Sequence, residues 1–103
     1  MNKLNPKVSI IISVLNSEAV LEKCILSILN QTYKNIELII IDGESSDDTI
    51  MIIKKYSKKI NYWISEKDSG IYNAWNKAIP NAKGDWLCFL GSDDILLPDS
   101  ISN

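Results

Sequence analysis

The sequence predicts an α/β fold in three layers, with a doubly wound, mostly parallel sheet between helices. Two observations lead to this prediction: short apolar runs rich in Ile and Val recur along the chain, and helical patterns fill the gaps between them. The runs cover residues 8–14, 36–41, 62–64 and 86–90. Continuous apolar runs are typical of strands buried on both faces, as in a parallel sheet.

The first and third gaps each contain apolar residues at helical spacing. In the first gap the pattern predicts a helix over about residues 17–30, with Asn16 or Ser17 available as the N-cap. In the third gap a helical pattern follows Gly70, and Pro80 limits its continuation. Helices between successive strands imply the right-handed crossovers of a parallel sheet.

The second gap predicts a helix that begins in the polar segment 45–49 and continues to Tyr56. We assign Asp47 and Asp48 to its first turn, where acidic side chains complement the helix dipole. Lysines follow near its end, which agrees with the same dipole.

Composition and charge favour one globular domain over residues 1–103 and argue against a nucleic-acid partner. The chain is 46% hydrophobic and carries a net charge of −2, with eleven lysines but neither Arg nor His. Without Arg or a basic stripe, the usual readers of phosphates and guanines are missing. Cys24 and Cys88 lie in apolar patterns without metal-ligand spacing, which favours buried reduced thiols in a cytoplasmic protein.

The amino-terminal segment resembles a signal peptide only superficially. A positively charged start precedes an apolar run, but that run ends in Asn16, Ser17 and Glu18 without a small-residue cleavage site. No stretch approaches the ~20 apolar residues that a membrane helix needs. We therefore expect a cytoplasmic domain with no membrane segment in this chain.

Polar side chains follow each predicted strand, where an open parallel sheet binds its ligands. They are Ser13 and Asn16, then Asp42 and Glu44, then Ser65 and Asp68, and finally Ser92, Asp93 and Asp94. The first turn has no glycine, and neither GxGxxG nor GxxxxGK[ST] occurs in the chain. A dinucleotide fingerprint and a P-loop are thereby excluded.

Asp93 and Asp94 directly follow a buried strand, where two ionised carboxylates are costly unless they are compensated. One interpretation is a divalent cation, Mg or Mn, that binds these carboxylates and bridges to substrate phosphates. The other is a polar turn that caps a helix beginning near Asp99. Asp42 likewise has two interpretations: a turn-stabilising side chain, or a carboxylate that accepts the N–H of a uracil-type base.

The positions of the three tryptophans favour a role in core packing over a role in stacking on a ligand. Trp63, Trp75 and Trp86 fall at strand positions or on the inward face of a predicted helix. Large aromatic side chains at such positions usually hold a sheet to its helices.

Three segments, in this order and spacing, resemble the family-2 glycosyltransferases of the inverting GT-A type. They are VSIIISVLNSEAVLEKCILSILNQTYKNIELIIIDGESSDDT, ISEKDSGIYNAWNKAI and AKGDWLCFLGSDD. The resemblance implies a Rossmann-like GT-A fold that binds a nucleotide-diphosphate sugar, most often a UDP-sugar, together with Mg or Mn. It also implies transfer of the sugar to an acceptor hydroxyl with inversion, as in polysaccharide biosynthesis.

The resemblance assigns roles to individual positions. Ser13 and Leu15 would lie beside the base and ribose, Asp42 would bind the base and Asp68 would face the nucleotide-sugar cleft. Asp93 would contact the ribose or sugar and share the metal site with Asp94, the main ligand.

Two positions depart from the pattern of the family. Leu15 stands where relatives often have a stacking Tyr, so nucleotide affinity or base preference is expected to differ. Ser92 stands where many relatives have the first acid of the DxD motif, which leaves a DxD-like motif.

The resemblance also implies that this chain is a truncated GT-A domain. The general base and the acceptor-binding half of the family lie on a later segment, beyond Asn103, so no catalytic residue is assigned here. Residues 1–103 would carry donor and metal binding only and would be inactive alone. The parent protein would transfer the sugar, either in the cytoplasm or at the inner face of the membrane.

Two further expectations accompany this interpretation. The alternative function is a non-catalytic nucleotide-binding or regulatory α/β module, whose alternation of strands and helices would be the same. Receiver-like modules, however, place an acidic pair after the first strand, and this chain does not. In a truncated sheet the fourth run would also present an apolar edge, so self-association through that edge is expected.

Overall fold

The sheet consists of parallel strands in the computed structural model, which describes residues 6–67 and 79–91. The strands are β1 (Val8–Val14), β2 (Ile36–Asp42), β3 (Tyr62–Ser65) and β4 (Trp86–Gly91), in the spatial order β3-β2-β1-β4. Val8 of β1 lies opposite Ile36 of β2 and Trp86 of β4. The predicted parallel α/β fold is confirmed, and each predicted strand matches within one residue.

Two α-helices cover one face of this sheet: α1 (Leu21–Leu29) and α2 (Thr49–Lys55). Single 3₁₀ turns follow at Ser57–Lys59 and Ile79–Asn81. Ile25 of α1 and Ile53 of α2 are fully buried in one cluster with alternate residues of the strands, among them Ile12. The helix predicted after Gly70, with Trp75, lies mostly outside the described residues, so the second helical layer stays a prediction.

The opposite face of the sheet has its own core. Ile11, Ile39 and Ile41 are fully buried there, with Ala82 and Phe89 packed against them. Because Ala82 lies in the connection from β3 to β4, the described part of that connection runs over this face. Side chains alternate between the two faces along each strand, so both faces of β1 and β2 are apolar, as the continuous runs predicted.

The prediction that α1 begins at residue 17 is wrong. Asn16 has a left-handed backbone with φ of 48°, which interrupts the chain before the helix. Its side chain accepts a hydrogen bond from Ser46 N–H (2.8 Å) in the next loop and does not cap α1. The carbonyl of Ser17 instead accepts the N–H groups of Val20 and Leu21 (3.1 and 2.9 Å), which forms a turn ahead of the helix.

Asp47 and Asp48 lie at the start of α2, as predicted, although the helix itself begins at Thr49 and Asp48 is its N-cap. Asp47 nevertheless stabilises the helix start, since its Oδ1 accepts the N–H of Thr49 at 2.9 Å. Burial raises the pKa of Asp47, but hydrogen bonds from the side chain and backbone of Thr49 outweigh this, and the pKa is lowered. The predicted lysines in the last turn, Lys54 and Lys55, are present.

The tryptophans and cysteines meet the expectations only in part. Trp63 packs against the core cluster under the helices, as predicted. The prediction that Trp86 is a core residue is wrong, because its side chain is 64% exposed at the first position of β4, which is an edge strand among the described residues. Cys24 is buried and Cys88 is half-buried, both as reduced thiols. Self-association through β4 stays a prediction.

A set of hydrogen bonds at the amino ends of the strands attaches β4 to β1. Glu37 is only 6% exposed, and its Oε1 accepts Ser9 Oγ–H (2.7 Å) and Lys83 N–H (2.8 Å). The same Ser9 hydroxyl accepts Gly84 N–H at 2.8 Å. A Cβ on Gly84 would lie 2.4 Å from Ser9 Oγ and 2.9 Å from the carbonyl oxygen of Lys7. Only glycine therefore fits this approach without displacing a strand.

We expect Glu22→Gln to make the stability of the chain less sensitive to acid. Lys55 Nζ donates to Glu22 at 2.7 Å and Tyr56 donates to the same carboxylate, so the pKa of Glu22 is lowered, chiefly by Lys55. The contribution of the Glu22 carboxylate to the free energy of unfolding is fully present above the pKa of an unfolded glutamate, about 4.3. It is lost as the pH falls through the lower pKa of Glu22 in the folded chain.

Unfolding temperatures measured from neutral pH down to about 3 would check this expectation, since that range crosses the pKa of an unfolded glutamate. Glu44→Gln, at an exposed position, provides the control. Identical acid dependence in wild type and Glu22→Gln would contradict the expectation.

None of the helices in the described ranges has the length and apolar character needed to cross a membrane.

Candidate functional site

The strands end at nearly the same level along one edge of the sheet, and we call these carboxyl ends and the loops that follow them the rim. Val14 of β1 lies opposite Asp42 of β2, and Asp42 lies opposite Ser65 of β3. On the other side of β1, Ser13 lies opposite Gly91, the last residue of β4. Because the chain goes from β1 to β2 and β3 on one side and reaches β4 on the other, the strand order reverses at β1. Ligands of open α/β sheets bind at such a reversal, outside the carboxyl ends.

Asp42 is the buried acid among the described residues of this rim. Its side chain is 0% exposed, on the sheet face that α1 and α2 cover. Oδ2 accepts Ser45 N–H and Ser65 Oγ–H, both at 2.8 Å, and Oδ1 accepts Ser45 Oγ–H at 2.5 Å. An ionised carboxylate only accepts hydrogen bonds, so three donors suit it. The turn-stabilising interpretation of Asp42 is therefore confirmed, while its contact with a base stays a prediction.

The loop after β1 and the loop after β2 are joined by hydrogen bonds. Asn16 N–H donates to Ser45 Oγ and Ser46 N–H donates to Asn16 Oδ1, both at 2.8 Å. Ser17 N–H donates to Thr49 Oγ1 at 2.7 Å. These contacts account for the polar sequence of both turns, since each side chain satisfies a backbone group of the other loop. The two loops therefore form one unit above β1 and β2.

Leu15 presents an apolar side chain to solvent at this rim. Its side chain is 60% exposed, directly after the last residue of β1, while Ser13 is half-buried two positions earlier, on the sheet face opposite to Asp42. Exposed leucines are common, so the exposure by itself assigns no ligand. The exposed side chain of Leu15 is nevertheless accessible to a ligand.

The described loops of the rim carry more acidic than basic side chains. Besides Asp42, they contain the acids Glu18, Glu44, Asp47, Asp48 and Glu66, with Lys67 as a base. An anionic ligand at this rim requires a compensating positive charge. Within residues 6–67 and 79–91 no group of three metal-ligating side chains lies close enough to hold an ion.

The structure thus places part of the predicted site. Ser13, Leu15 and Asp42 lie at the carboxyl ends of β1 and β2, with Ser13 and Asp42 on opposite faces of the sheet, whereas Asp68, Asp93 and Asp94 lie outside the described residues. Ser45, whose hydroxyl contacts both Asp42 and Asn16, was not predicted as a site residue. The signal was available, because Ser45 stands three positions after Asp42 in a polar turn.

Comparison with known proteins decides the family. The model of glycosyl transferase family 2 matches residues 9–103. The chain belongs to this family. The predicted resemblance is therefore confirmed.

A curated relative gives the extent of the match. The PGL/p-HBAD biosynthesis glycosyltransferase of Mycobacterium tuberculosis is 40% identical over 94 residues, which cover 88% of this family-2 chain and 37% of the relative. This chain therefore spans little more than a third of the length of that relative.

Solved structures confirm the GT-A fold. Residues 1–349 of S. aureus TarS in complex with UDP-GlcNAc match with a TM-score of 0.85 and 27% identity, covering 93% of this chain and 29% of that one. The mannosyltransferase PcManGT of Pyrobaculum calidifontis, solved with GDP-Man and Mn²⁺, matches with a TM-score of 0.82 over 92% of this chain and 29% of that one. Its identity is 22%, so the likeness concerns the fold alone.

Proposed function

We propose that this family-2 chain binds the nucleotide part of a nucleotide-diphosphate sugar at the carboxyl ends of β1, β2 and β4. The observation that carries the proposal is a fully buried carboxylate, Asp42, at the end of β2, with an exposed apolar side chain, Leu15, directly after the paired end of β1, where the strand order reverses. The TarS complex with UDP-GlcNAc, at 27% identity, supports a donor of the same chemical class.

Asp42 is proposed to recognise the base. Each carboxylate oxygen can accept two hydrogen bonds, and Oδ1 accepts a single described one, from Ser45. An imide N–H, as in uracil, supplies the donor that this oxygen can take, whereas N3 of cytosine carries no hydrogen. Because Asp42 is fully buried, we propose a small shift of side chains at the rim on binding, as is common at ligand sites.

The remaining contacts are proposed in the order that the resemblance implies. Ser13 and Leu15 lie beside the base and ribose, with Leu15 covering the base by apolar contact in place of a stacked ring. Asp68 faces the nucleotide-sugar cleft, and Asp93 contacts the ribose or the sugar. A UDP-sugar is the proposed donor, because the imide N–H of uracil suits Asp42 as a hydrogen-bond acceptor.

A divalent cation is proposed to compensate the charge of the rim. The acidic loops described above repel a diphosphate, and the donors offered by Asp93 and Asp94 are hard carboxylate oxygens, which suit Mg or Mn. Both residues follow Gly91, which lies opposite Ser13. Asp94, with Asp93, would hold the ion, which when bound would neutralise diphosphate charge.

Transfer of the sugar to an acceptor hydroxyl, with inversion, is proposed for the whole protein. The relatives that carry the glycosyltransferase name are longer, and this chain covers 37% of the M. tuberculosis one. We propose that residues 1–103 bind donor and metal. A carboxylate general base must lie within hydrogen-bond reach of the acceptor, and we propose it on a segment outside these residues.

We expect calorimetry to show binding of UDP-GlcNAc that strengthens with Mn²⁺ and weakens with a chelator. Asp94→Asn should remove the dependence on Mn²⁺ because it removes the main charged ligand. Asp85→Asn is the matched control, since Asp85 bonds Lys7 N–H at the opposite end of the sheet. Absence of binding to wild type at millimolar donor with Mn²⁺ would contradict the proposal.

A further inference from the structure

The hydroxyl of Ser45 occupies a central place in the rim. It donates to Asp42 Oδ1 at 2.5 Å and accepts the N–H of Asn16 at 2.8 Å. The backbone N–H of the same residue donates to Asp42 Oδ2 at 2.8 Å. One residue of the β2–α2 loop thus contacts both oxygens of the buried carboxylate and the loop that carries Leu15.

These contacts determine the orientation of the carboxylate. With Ser45 bonded to both oxygens and Ser65 Oγ bonded to Oδ2, the plane of the Asp42 carboxyl group is fixed by contacts on two sides. A hydrogen bond to a base is directional, so its strength depends on this plane. The loop after β2 therefore determines the position and direction in which the Asp42 carboxylate can accept an N–H of the base.

The contact with Asn16 fixes the other side of the proposed base pocket. Asn16 adopts a left-handed backbone with φ of 48°, which costs free energy unless surrounding contacts hold it. Its N–H bond to Ser45 and its side-chain bond to Ser46 N–H provide those contacts. Leu15 precedes Asn16, so the position of Leu15 depends on the same hydroxyl.

We infer that Ser45 is a positioning residue that couples the base-accepting carboxylate of Asp42 to the loop bearing Leu15, and so determines both affinity and base preference for the donor nucleotide. This inference rests on the proposed function of the rim. Ser45 touches Asp42 and Asn16 and acts on the nucleotide through them.

The test is calorimetric binding of UDP and of CDP, with Mn²⁺, to wild type, Ser45→Ala, Ser45→Thr and Ser46→Ala. Loss of two hydrogen bonds should weaken UDP binding to Ser45→Ala by about tenfold. CDP binding should change less, so the preference for UDP falls. Ser45→Thr restores a hydroxyl and should recover most of the affinity. Ser46→Ala is the matched control, because that exposed hydroxyl makes a long contact to Asn16 Oδ1 of 3.4 Å.

A second measurement makes the inference independent of ligand binding. Amide exchange at Asn16, followed by NMR, should accelerate in Ser45→Ala because the acceptor of that N–H is removed. Unchanged Asn16 exchange, or equal UDP affinity and UDP preference in wild type and Ser45→Ala, would overturn the inference and leave donor binding intact. Failure of wild type to bind either nucleotide would instead overturn the proposed function, and Asn16 exchange would still decide the coupling.

Discussion

Gly84→Ala is expected to lower the free energy of unfolding by about 3 kcal/mol, the sum of an overpacked contact and a lost hydrogen bond. The added Cβ would lie 2.4 Å from Ser9 Oγ, 2.7 Å from Ser9 N and 2.9 Å from the carbonyl oxygen of Lys7. Ser9 Oγ can rotate, but the other two atoms belong to the backbone of β1 and the residue before it. The start of β4 must therefore move away from β1.

Urea denaturation followed by circular dichroism would measure this loss. Lys83→Ala is the matched control, because only the backbone N–H of Lys83 contacts Glu37 and its side chain is exposed. The control should unfold within about 0.5 kcal/mol of wild type, as surface substitutions usually do. If Gly84→Ala were as stable as Lys83→Ala, the close approach of β4 to β1 would be contradicted.

Asp42→Ala is expected to have the second large effect, on stability and on nucleotide binding together. Removing a fully buried carboxylate leaves Ser45 N–H and two hydroxyls without their acceptor, at a cost of about 3 kcal/mol in unfolding free energy. UDP affinity should fall by at least about tenfold, because the proposed acceptor for the base is removed.

Two further variants separate these effects. Asp42→Asn has the same shape and keeps one acceptor oxygen, so it should remain folded yet bind UDP more weakly. Glu44→Ala removes an acid from the same loop at an exposed position and should leave stability and binding nearly unchanged. Wild-type UDP affinity in Asp42→Asn would argue against base recognition by this carboxylate. Wild-type stability in Asp42→Ala would argue against the hydrogen bonds described here.

The strands could be predicted from the sequence because their burial leaves a local signal. Both faces of β1 and β2 are covered, so apolar residues dominate each strand, and the ends of the runs match the ends of the strands within one residue. The parallel sheet and the rim of polar residues followed from that alternation and from the binding rule for open sheets. The position of Asp42 at the rim was predictable for the same reason.

The start of α1 could not be predicted in this way. Asn16, Ser17 and Asp47 are residue types that cap helices, and sequence alone cannot show whether such a side chain bonds its own helix or a neighbouring loop. Here the Asn16 side chain accepts Ser46 N–H in the loop after β2, and Ser17 N–H donates to Thr49 Oγ1 at the start of α2, about thirty positions away. The role of Ser45 was missed for the same reason, since one of its contacts lies in another loop.

The exposure of Trp86 could not be predicted from the apolar run for a different reason. An apolar run identifies a strand but not its place in the sheet, and the first residue of an edge strand has fewer neighbours than a central one. Its position became clear only from the order β3-β2-β1-β4.

The same strand order has a consequence for the order of folding during synthesis. β1 is translated first, yet one of its two neighbours, β4, is among the last described segments, and Lys7 bonds Asp85 across 78 positions of sequence. β1 can pair with β2 early, but the pairing with β4 must wait until that segment leaves the ribosome. Until then β1 is itself an edge strand. The unpaired backbone groups of such an edge can pair with another chain and lead to misfolding or aggregation.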